Sequence, residues 1–226
     1  MDRFTGTGGQ AVFMRPATEM KCAGAPLKYT FLTDDYARQK GTRGRTEIRY
    51  AAQSDNLFGV PIVAEKVRML FDRQEIETVY RHVLKAVDPA ARTLVFDTAD
   101  GEVSYDYDFT NVIPPMRAPA AVRDNSPLPW QEGPFAADGW VEVDPHTLQH
   151  TRFPEVYAAG DVAGVPKGKT AVSVKWQVPV VEDGIVSAIA GTQPTETYDG
   201  YTSCPLITRV GRAMLVEFDY HNNLVP

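Results

Sequence analysis

The sequence predicts an α/β fold, and three observations in its first half lead to that prediction. Strand-like and helix-like patterns alternate along the chain, which is the order that builds a doubly wound sheet. Both helix patterns begin at a proline, Pro26 and Pro61, where the missing N–H costs nothing in a first helical turn. Asp100-Gly101 then supplies the turn residues of a hairpin between two further strand patterns. We therefore expect a small doubly wound α/β domain with an antiparallel excursion.

The individual elements follow from periodicity and from helix breakers. Val63, Val67 and Leu70 recur at the spacing of one helical face, and Gly41 ends the preceding helix. The predicted helices cover residues 27–39, 62–74 and 170–190. The predicted strands cover residues 47–51, 77–83, 93–97, 103–107, 109–113, 141–143, 156–159 and 212–218. Pro179 lies inside the last helix pattern and predicts a kink there, because it removes a backbone hydrogen bond.

Composition excludes several classes of protein. Of the 226 residues, 43% are hydrophobic and 23% are charged, as in an ordinary globular protein. The net charge of −6 argues against a nucleic-acid binder, which needs a positive surface. No apolar run approaches the roughly 20 residues that span a bilayer. His146 and His150 are four residues apart, but Pro145 and Pro154 prevent the helix that would align them, so no metal site is predicted.

The stretch Gly6-Thr7-Gly8-Gly9-Gln10 with the alanine that follows it matches the pattern G-x-G-x-x-A of dinucleotide-binding loops. Such a loop needs a strand before it and a helix after it, so that the helix N-terminus faces the pyrophosphate. Too few residues precede this stretch to form that strand, and the proline-ended run after it does not open a helix. We therefore predict a glycine turn here and no nucleotide site.

Two cysteines, Cys22 and Cys204, stand far apart in the sequence. Cys22 lies where a strand is expected to end and a proline-opened helix to begin, and a helix N-terminus favours thiolate over thiol. Lys21 and Lys28 add positive charge nearby. Pro205 directly follows Cys204 and fixes the local backbone, which favours a presented loop cysteine. From these features alone, a redox pair and two unrelated buried thiols both remain open.

A strand that runs into the tight turn Ala159-Gly160-Asp161 has the features of a flavin-binding turn. Gly160 lets the backbone pass close to a ligand, and Asp161 can accept hydrogen bonds from ribityl hydroxyls. Downstream, the run Lys167-Gly168-Lys169-Thr170 brings the positive charge of its two lysines to a helix start, where it would stabilise the negative charge of a reduced flavin. A plain strand and turn without a ligand is the alternative.

Eight stretches carry a resemblance to a known family. They are residues 21–28 (KCAGAPLK), 114–116 (PPM), 139–144 (GWVEVD), 147–150 (TLQH), 159–161 (AGD), 169–171 (KTA), 198–206 (YDGYTSCPL) and 217–220 (EFDY). Spread over nearly the whole chain in family order, they resemble the sulfide:quinone oxidoreductase family, and most closely its mitochondrial-like branch. That family lies within the FAD-dependent pyridine nucleotide-disulfide oxidoreductase class.

The resemblance implies a fold in two parts. The first is a Rossmann-like, three-layer second dinucleotide-type domain, and the second is the C-terminal half of an FAD-binding domain. We expect a connecting segment at 1–19, the second dinucleotide-type domain at 20–115 and the FAD-domain part at 116–226. The family's N-terminal FAD-diphosphate fingerprint and its apolar C-terminal helices have no counterpart here. We therefore expect the chain to be a fragment lacking the N-terminal FAD-binding segment.

The resemblance also implies a reaction. Cys22 and Cys204 match the family's redox pair, which a disulfide or an extra sulfur bridges in the resting enzyme. Sulfide attacks the Cys204 sulfur, and the Cys22 thiolate released by this attack passes two electrons to FAD. The flavin then reduces a membrane quinone, while a small thiol accepts the sulfane sulfur.

The implied cofactor site lies in the second half of the chain. Gly160 and Asp161 would hold the ribityl chain of FAD, and Lys169 and Thr170 would lie beside its ring. The resemblance implies that the complete enzyme is a peripheral protein of the bacterial or mitochondrial inner membrane. The fragment itself is expected to be soluble, and inactive without the N-terminal part.

Two other functions compete with this interpretation. One is a non-catalytic truncated product whose half-domain survives as a homodimer, since burying exposed apolar surface gains roughly 25 cal/mol per Å². The other is an NAD(P)H-dependent flavin disulfide reductase. This second alternative is disfavoured because Gly24 stands alone between two alanines, and because no acidic residue follows the next strand to bind a ribose.

Overall fold

A parallel sheet in one part of the chain and a single long helix in the other organise the structure. The computed structural model describes residues 1–225, so the last residue of the predicted domain 116–226 lies outside the described residues. The chain divides into two units. The first unit contains Met1–Ala17, Ala23–Pro115 and Pro205–Leu215, and the second contains Thr18–Cys22, Met116–Cys204 and the chain from Val216 onward.

Helices and strands alternate in the first half of the chain, as the sequence predicts. The helices of the described residues are α1 (Asp2–Thr7), α2 (Ala25–Gln39), α3 (Pro61–Arg73), α4 (Ala120–Arg123) and α5 (Ala171–Ala190). The strands are β1 (Gly9–Met14), β2 (Thr46–Ala51), β3 (Glu77–Val79), β4 (Val83–Asp88), β5 (Thr93–Thr98), β6 (Gly101–Asp106), β7 (Phe109–Asn111), β8 (Thr202–Ser203), β9 (Leu206–Arg209), β10 (Arg212–Met214) and β11 (Glu217–Phe218).

The first unit has three layers. Its central sheet is parallel, with the strand order β3-β2-β1-β7. On one face, α2 and α3 pack through aromatic rings, with Phe71 5.0 Å from Phe31 and 5.6 Å from Tyr50 between ring centroids. On the other face, Val12 and Phe96 belong to a core shared with the antiparallel sheet β4-β5-β6. This arrangement confirms the predicted Rossmann-like α/β class.

The antiparallel excursion is the predicted hairpin with one more strand. The predicted hairpin forms, and strands β5 and β6 pair up to Thr98 and Gly101, so the two turn residues are Ala99 and Asp100 and Gly101 begins β6. The strand predicted at 77–83 is wrong as a single element, because the chain forms β3 and then β4 in different sheets. Arg81 has a φ of 57°, a left-handed conformation that interrupts the extended chain between them.

Residues 1–19, expected as a connecting segment, instead contribute α1 and the central strand β1. The reason is burial, since Ala11, Val12, Phe13 and Met14 are at most 1% exposed and form the continuous apolar run of a strand covered on both faces. The glycine stretch before β1 leads into a strand and not a helix. The division of the chain into functional domains at 20–115 and 116–226 stays a prediction.

The strand predicted at 212–218 is also divided. Strand β10 pairs with β9 in the first unit, where the Val210 N–H donates to Asp35 of α2 at 2.9 Å. Strand β11 pairs with β8 in the second unit, and Leu215 and Val216 fall on opposite sides of the division between the units. A periodic apolar pattern alone does not reveal that the two ends of such a segment bind different partners.

The second unit consists largely of loops around α5, together with the short helix α4 and the paired strands β8 and β11. The strands predicted at 141–143 and 156–159 are wrong as strands, because each is limited to isolated bridges, such as Val141 with Ala163 and Tyr157 with Gln149. Their apolar side chains are nevertheless in the core, where Val143 and Leu148 are fully buried. These residues are therefore buried by the packing of loops and not by pairing in a β-sheet.

Helix α5 has an unusual distribution of polarity. Thr170 caps its N-terminus by accepting from the Ser173 N–H at 3.2 Å, and Gly191 ends it with a φ of 69°. Pro179 lies within the helix, which runs through it as one element. The buried residues include Ser173, Gln177 and Gly184. The exposed residues of the helix include a set of large apolar side chains: Val172, Trp176, Val178, Ile185, Val186 and Ile189.

Within residues 1–225, none of the helices combines the length and the apolar character that crossing a bilayer requires.

Candidate functional site

The predicted site residues meet at the N-terminus of α5, within the second unit. Three segments converge there: residues 18–22, the turn at 160–163 and the strand that leads to Cys204. The hydrogen bonds of Lys169, Thr170 and Ser173 connect them to the start of the helix.

Lys169 is a buried ammonium group surrounded by backbone carbonyls. Its side chain is 5% exposed, and Nζ donates to the Asp161 carbonyl at 2.8 Å and to the Ala163 carbonyl at 2.7 Å. Nζ also lies 3.9 Å from the ring centroid of the buried Trp140, a cation–π distance. Burial lowers the pKa of Lys169 from 10.5 to about 8, with Lys21 acting in the same direction. The prediction that Lys169 lies at a helix start holds, and its side chain binds the turn at residue 161.

Gly160 adopts the positive φ that its place in the turn requires. Its φ is 70°, and a Cβ at this position would lie 3.1 Å from Cγ2 of Val174 on α5. The Gly160 N–H donates to Oε1 of the buried Gln177 at 2.6 Å. Close packing and this hydrogen bond together hold the turn against the helix.

Gln177 is a site residue that sequence reasoning missed. Besides its bond to Gly160, its Nε2 lies 3.5 Å from the Gly168 carbonyl, so one side chain reaches the turn at 160 and the loop before α5. Gly168 has a φ of 112°, and a Cβ there would lie 2.5 Å from Gln177 Nε2. The signal in the sequence is a single amide among apolar residues of a helix pattern, where a buried polar group needs partners.

Asp161 presents its carboxylate at the surface of the turn. Oδ2 lies 3.0 Å from Lys21 Nζ, and the two side chains are 49% and 44% exposed. The sequence predicts Asp161 as an acceptor for ligand hydroxyls. The structure adds that one carboxylate oxygen is in an ion pair with the neighbour of Cys22.

Cys22 belongs to the second unit, and the prediction that it ends a strand is wrong. Strand β1 ends at Met14, and residues 18–22 leave the first unit before α2 begins at Ala25. The Cys22 N–H donates to the Lys169 carbonyl at 3.0 Å, and its φ is 48°. The partner of the Cys22 backbone is therefore the residue that precedes the cap of α5.

Cys204 is buried, at 3% exposure, so the prediction of a presented loop cysteine is wrong. Its N–H donates to the Val216 carbonyl at 2.8 Å, which extends the pairing of β8 with β11. This pairing holds the segment inside the unit despite the adjacent Pro205.

A relay of hydroxyl groups connects the start of α5 to the Cys204 segment. The Thr170 and Ser173 hydroxyl oxygens lie 2.9 Å apart, and the Ser173 hydroxyl donates to the Thr202 hydroxyl at 3.3 Å. Thr202 lies two residues before Cys204, while Lys169 binds the backbone of Cys22. Both cysteine segments are therefore attached to residues 169–173. The sequence alone did not identify Ser173 as part of this site.

Comparison with known proteins gives similarities over almost the whole chain. No family model matches. The chain is 36% identical over 215 residues to the mitochondrial sulfide:quinone oxidoreductase of Mus musculus, and 33% identical over 213 residues to that of Dictyostelium discoideum. The corresponding protein of Schizosaccharomyces pombe is 31% identical over 218 residues. Each alignment covers 94% of this chain and 46% of the relative, so the chain spans about half the length of these proteins.

Solved structures show the same fold. The sulfide:quinone oxidoreductase of Aquifex aeolicus superposes with a TM-score of 0.74 at 18% identity, covering 94% of this chain and 51% of that chain. A chain in the mitochondrial ATP synthase assembly of Tetrahymena thermophila gives 0.81 at 17% identity, covering 99% and 53%. A flavoprotein disulfide reductase of Escherichia coli gives 0.53 at 9% identity, covering 87% and 40%. The mixed α/β fold with its parallel sheet is therefore shared with these three structures.

Proposed function

We propose that this chain, which is 31–36% identical to three sulfide:quinone oxidoreductases over the half of those proteins that it spans, is part of a member of that family and carries the two redox cysteines of a sulfide-oxidising site. The observation that supports this most directly is the attachment of the Cys22 and Cys204 segments to residues 169–173 of one unit. Since the chain covers 46% of its relatives, catalysis is proposed for the complete protein.

The proposed chemistry starts from a disulfide between Cys22 and Cys204. Hydrosulfide attacks the Cys204 sulfur, the S–S bond breaks, and Cys22 leaves as the thiolate while Cys204 carries a persulfide. A small thiol then removes the sulfane sulfur from Cys204. The buried position of Cys204 suits a sulfur that carries a persulfide, because its surroundings limit access to large reactants.

We propose that Cys22 is the cysteine that delivers electrons. Its thiolate, released by the attack on Cys204, re-forms the S–S bond with the Cys204 thiolate that remains once the small thiol has taken the sulfane sulfur, and the electron pair released by this oxidation goes to the electron acceptor. The ammonium of Lys21, adjacent in sequence, and the start of α5, bound through Lys169, both favour the anionic sulfur over the thiol. The role of this chain's own residues is to hold that thiolate in place and to stabilise its charge.

FAD is the cofactor we propose, and the turn at Gly160 fits it. When bound, FAD supplies a two-electron acceptor that passes electrons to a membrane quinone. Asp161 is half exposed and uses Oδ2 for Lys21, so Oδ1 is placed to accept from a ribityl hydroxyl. Gly160 lets the turn pack against α5, since a Cβ there would lie 3.1 Å from Val174 Cγ2. Lys169 and Thr170 would provide the positive helix end beside the ring.

The partners proposed for the complete protein follow from this reaction. They are sulfide, a small thiol that accepts sulfur, and a quinone drawn from a membrane to which the protein attaches peripherally. The relatives with 31–36% identity carry the word mitochondrial in their names, and we propose the same kind of membrane, or a bacterial inner membrane, for this protein.

Anaerobic sulfide titration of the complete protein tests this function. Wild-type protein should lose its oxidised flavin absorbance as sulfide is added, and Cys22→Ser and Cys204→Ser should each abolish that loss. Ser203→Ala changes the neighbour of Cys204 without removing a sulfur, and should retain sulfide-dependent reduction. Reduction of the flavin at the wild-type rate in Cys22→Ser would show that the proposed electron path is wrong.

A second candidate function is a non-catalytic product that associates as a homodimer. The apolar exposed residues of α5 favour it, with Trp176 at 52% and Ile189 at 83% exposure. Covering such side chains is favourable by roughly 25 cal/mol per Å². The visible spectrum of the purified 226-residue chain separates the candidates, because bound FAD would contradict a chain without a flavin role.

A further inference from the structure

Several contacts attach residues 18–22 to the rest of the second unit, and one of them is the Lys21 N–H bond to Met116 Sδ at 3.3 Å. The Met116 N–H donates to the Thr18 hydroxyl at 2.9 Å, and the Cys22 N–H donates to the Lys169 carbonyl at 3.0 Å. Between them, Lys21 Nζ lies 3.0 Å from Asp161 Oδ2. This last contact connects the residue beside one cysteine to the acidic residue of the turn.

The backbone of Cys22 requires such attachment. A φ of 48° is unfavourable for a residue with a side chain, and it persists only where the surroundings hold it. The Cys22 N–H bond to the Lys169 carbonyl holds the backbone of Cys22 itself. The ion pair of Lys21 with Asp161 and the Lys21 N–H bond to Met116 Sδ both restrain the residue immediately before Cys22.

We propose that Lys21 is a positioning residue whose ion pair with Asp161 holds Cys22 in its left-handed conformation at the start of α5. The proposal rests on the proposed function only in treating Cys22 as the reacting thiolate and Asp161 as a cofactor ligand. Its consequence is that the carboxylate that would bind the cofactor also sets the position of the redox sulfur. A change at either end of the ion pair therefore affects the other end.

The charges around this pair are consistent with the assignment. Lys21 lowers the pKa of Lys169 while Glu19 and Asp161 raise it, so Lys21 lies within electrostatic reach of the residue that binds the Cys22 backbone. Because Lys21 and Asp161 are both close to half exposed, solvent screens their attraction. The expected role of the pair is local restraint with a modest effect on overall stability.

The test is the pH dependence of Cys22 alkylation in the complete, reduced protein. Iodoacetamide modification of Cys22 is followed by mass spectrometry for wild type, Lys21→Met, Lys21→Arg, Asp161→Asn and the double variant Lys21→Met/Asp161→Asn. Lys21→Met keeps the apolar stem and should raise the apparent pKa of the Cys22 thiol by about half a unit to one unit. Lys21→Arg should keep the apparent pKa of the Cys22 thiol at the wild-type value. Lys175→Met, which changes an exposed lysine of α5, should also leave that pKa unchanged.

The double variant separates positioning from simple charge. If Asp161 holds Lys21 in place, Lys21→Met changes the Cys22 profile much less once Asp161 is already Asn. Additive effects, or a Cys22 profile in Lys21→Met equal to that of wild type, would overturn the proposal. This readout needs no sulfide and no flavin reduction, so its failure is distinct from failure of the cysteine variants in the sulfide titration.

Discussion

The side-chain oxygen of Gln177 accepts a 2.6 Å hydrogen bond from the Gly160 N–H, and this contact fastens the turn that carries Asp161 to helix α5. Both groups are buried, so water cannot replace either partner. The geometry of the proposed cofactor turn therefore depends on a helix residue seventeen positions later in the chain.

Replacing Gln177 by leucine should destabilise the turn. The Gly160 N–H would remain buried without an acceptor, which costs about 1–3 kcal/mol of the free energy of unfolding. We expect urea denaturation of the complete protein to show this loss, together with a lower flavin content after gel filtration. Gln131→Leu, on an exposed glutamine of the same unit, should change stability by less than about 0.5 kcal/mol. Equal stability of the two variants would contradict the role given to Gln177.

Gly168→Ala should be more damaging than an alanine at another left-handed glycine. At Gly168 a Cβ would lie 2.5 Å from Gln177 Nε2 and 2.8 Å from the Tyr198 hydroxyl oxygen, in addition to the strain of a φ of 112°. Gly191 has a φ of 69° with nothing within 4 Å of the added Cβ, so Gly191→Ala measures backbone strain alone, about 1–2 kcal/mol. We expect Gly168→Ala to exceed it by about 1–3 kcal/mol in urea denaturation. A cost no larger than that of Gly191→Ala would show that the loop adapts.

Lys169 should make stability depend on pH in the alkaline range. Its pKa is 10.5 in the unfolded chain and about 8 when folded, so between these values the unfolded chain binds more protons. The free energy of unfolding should therefore rise with pH as the penalty of a buried charge disappears, by on the order of 3 kcal/mol over the whole interval. Burial raises the pKa of Tyr50 and of Tyr220, which opposes this rise near pH 10 and above.

The measurement is the slope of unfolding free energy against pH, taken from urea denaturation between about pH 7.5 and pH 9.5. Lys169→Met should remove most of the rise, whatever its effect on absolute stability. Lys175→Met provides the matched control, since this lysine is exposed on α5. A slope in Lys169→Met equal to that of wild type would mean that the rise has another source.

Self-association of the 226-residue chain should depend on the apolar residues of α5. Trp176→Ser and Ile189→Ser each remove a large exposed side chain, and each should weaken a dimer about tenfold if that surface is buried on association. Ile62→Ser is the control, because Ile62 is 63% exposed on α3 in the other unit. Sedimentation velocity over a range of concentrations gives the dissociation constants. Unchanged constants in both α5 variants would exclude this face as the interface.

Local signals predicted the regular elements well. Proline at the start, glycine at the end and helical periodicity located helices close to α2, α3 and α5, and Asp100-Gly101 located the hairpin. These features act within a few residues, so the sequence alone contains them. Where the prediction is wrong, as for the strands at 141–143 and 156–159, apolar residues are buried by loops, and an apolar pattern does not distinguish this from pairing in a sheet.

In the candidate site too, local sequence signals identify some features and only the folded chain shows the others. The amino-acid sequence by itself determined the candidate residues for the proposed chemistry, because thiols, an acidic residue after a glycine turn and a lysine before a helix are identifiable by type. Only the tertiary structure decided that residues 18–22 leave the first unit, that Lys21 pairs with Asp161, and that Cys204 is buried. Each of these depends on contacts between segments far apart along the chain, whose free energy comes from burial and hydrogen bonding that exist only once the chain has folded.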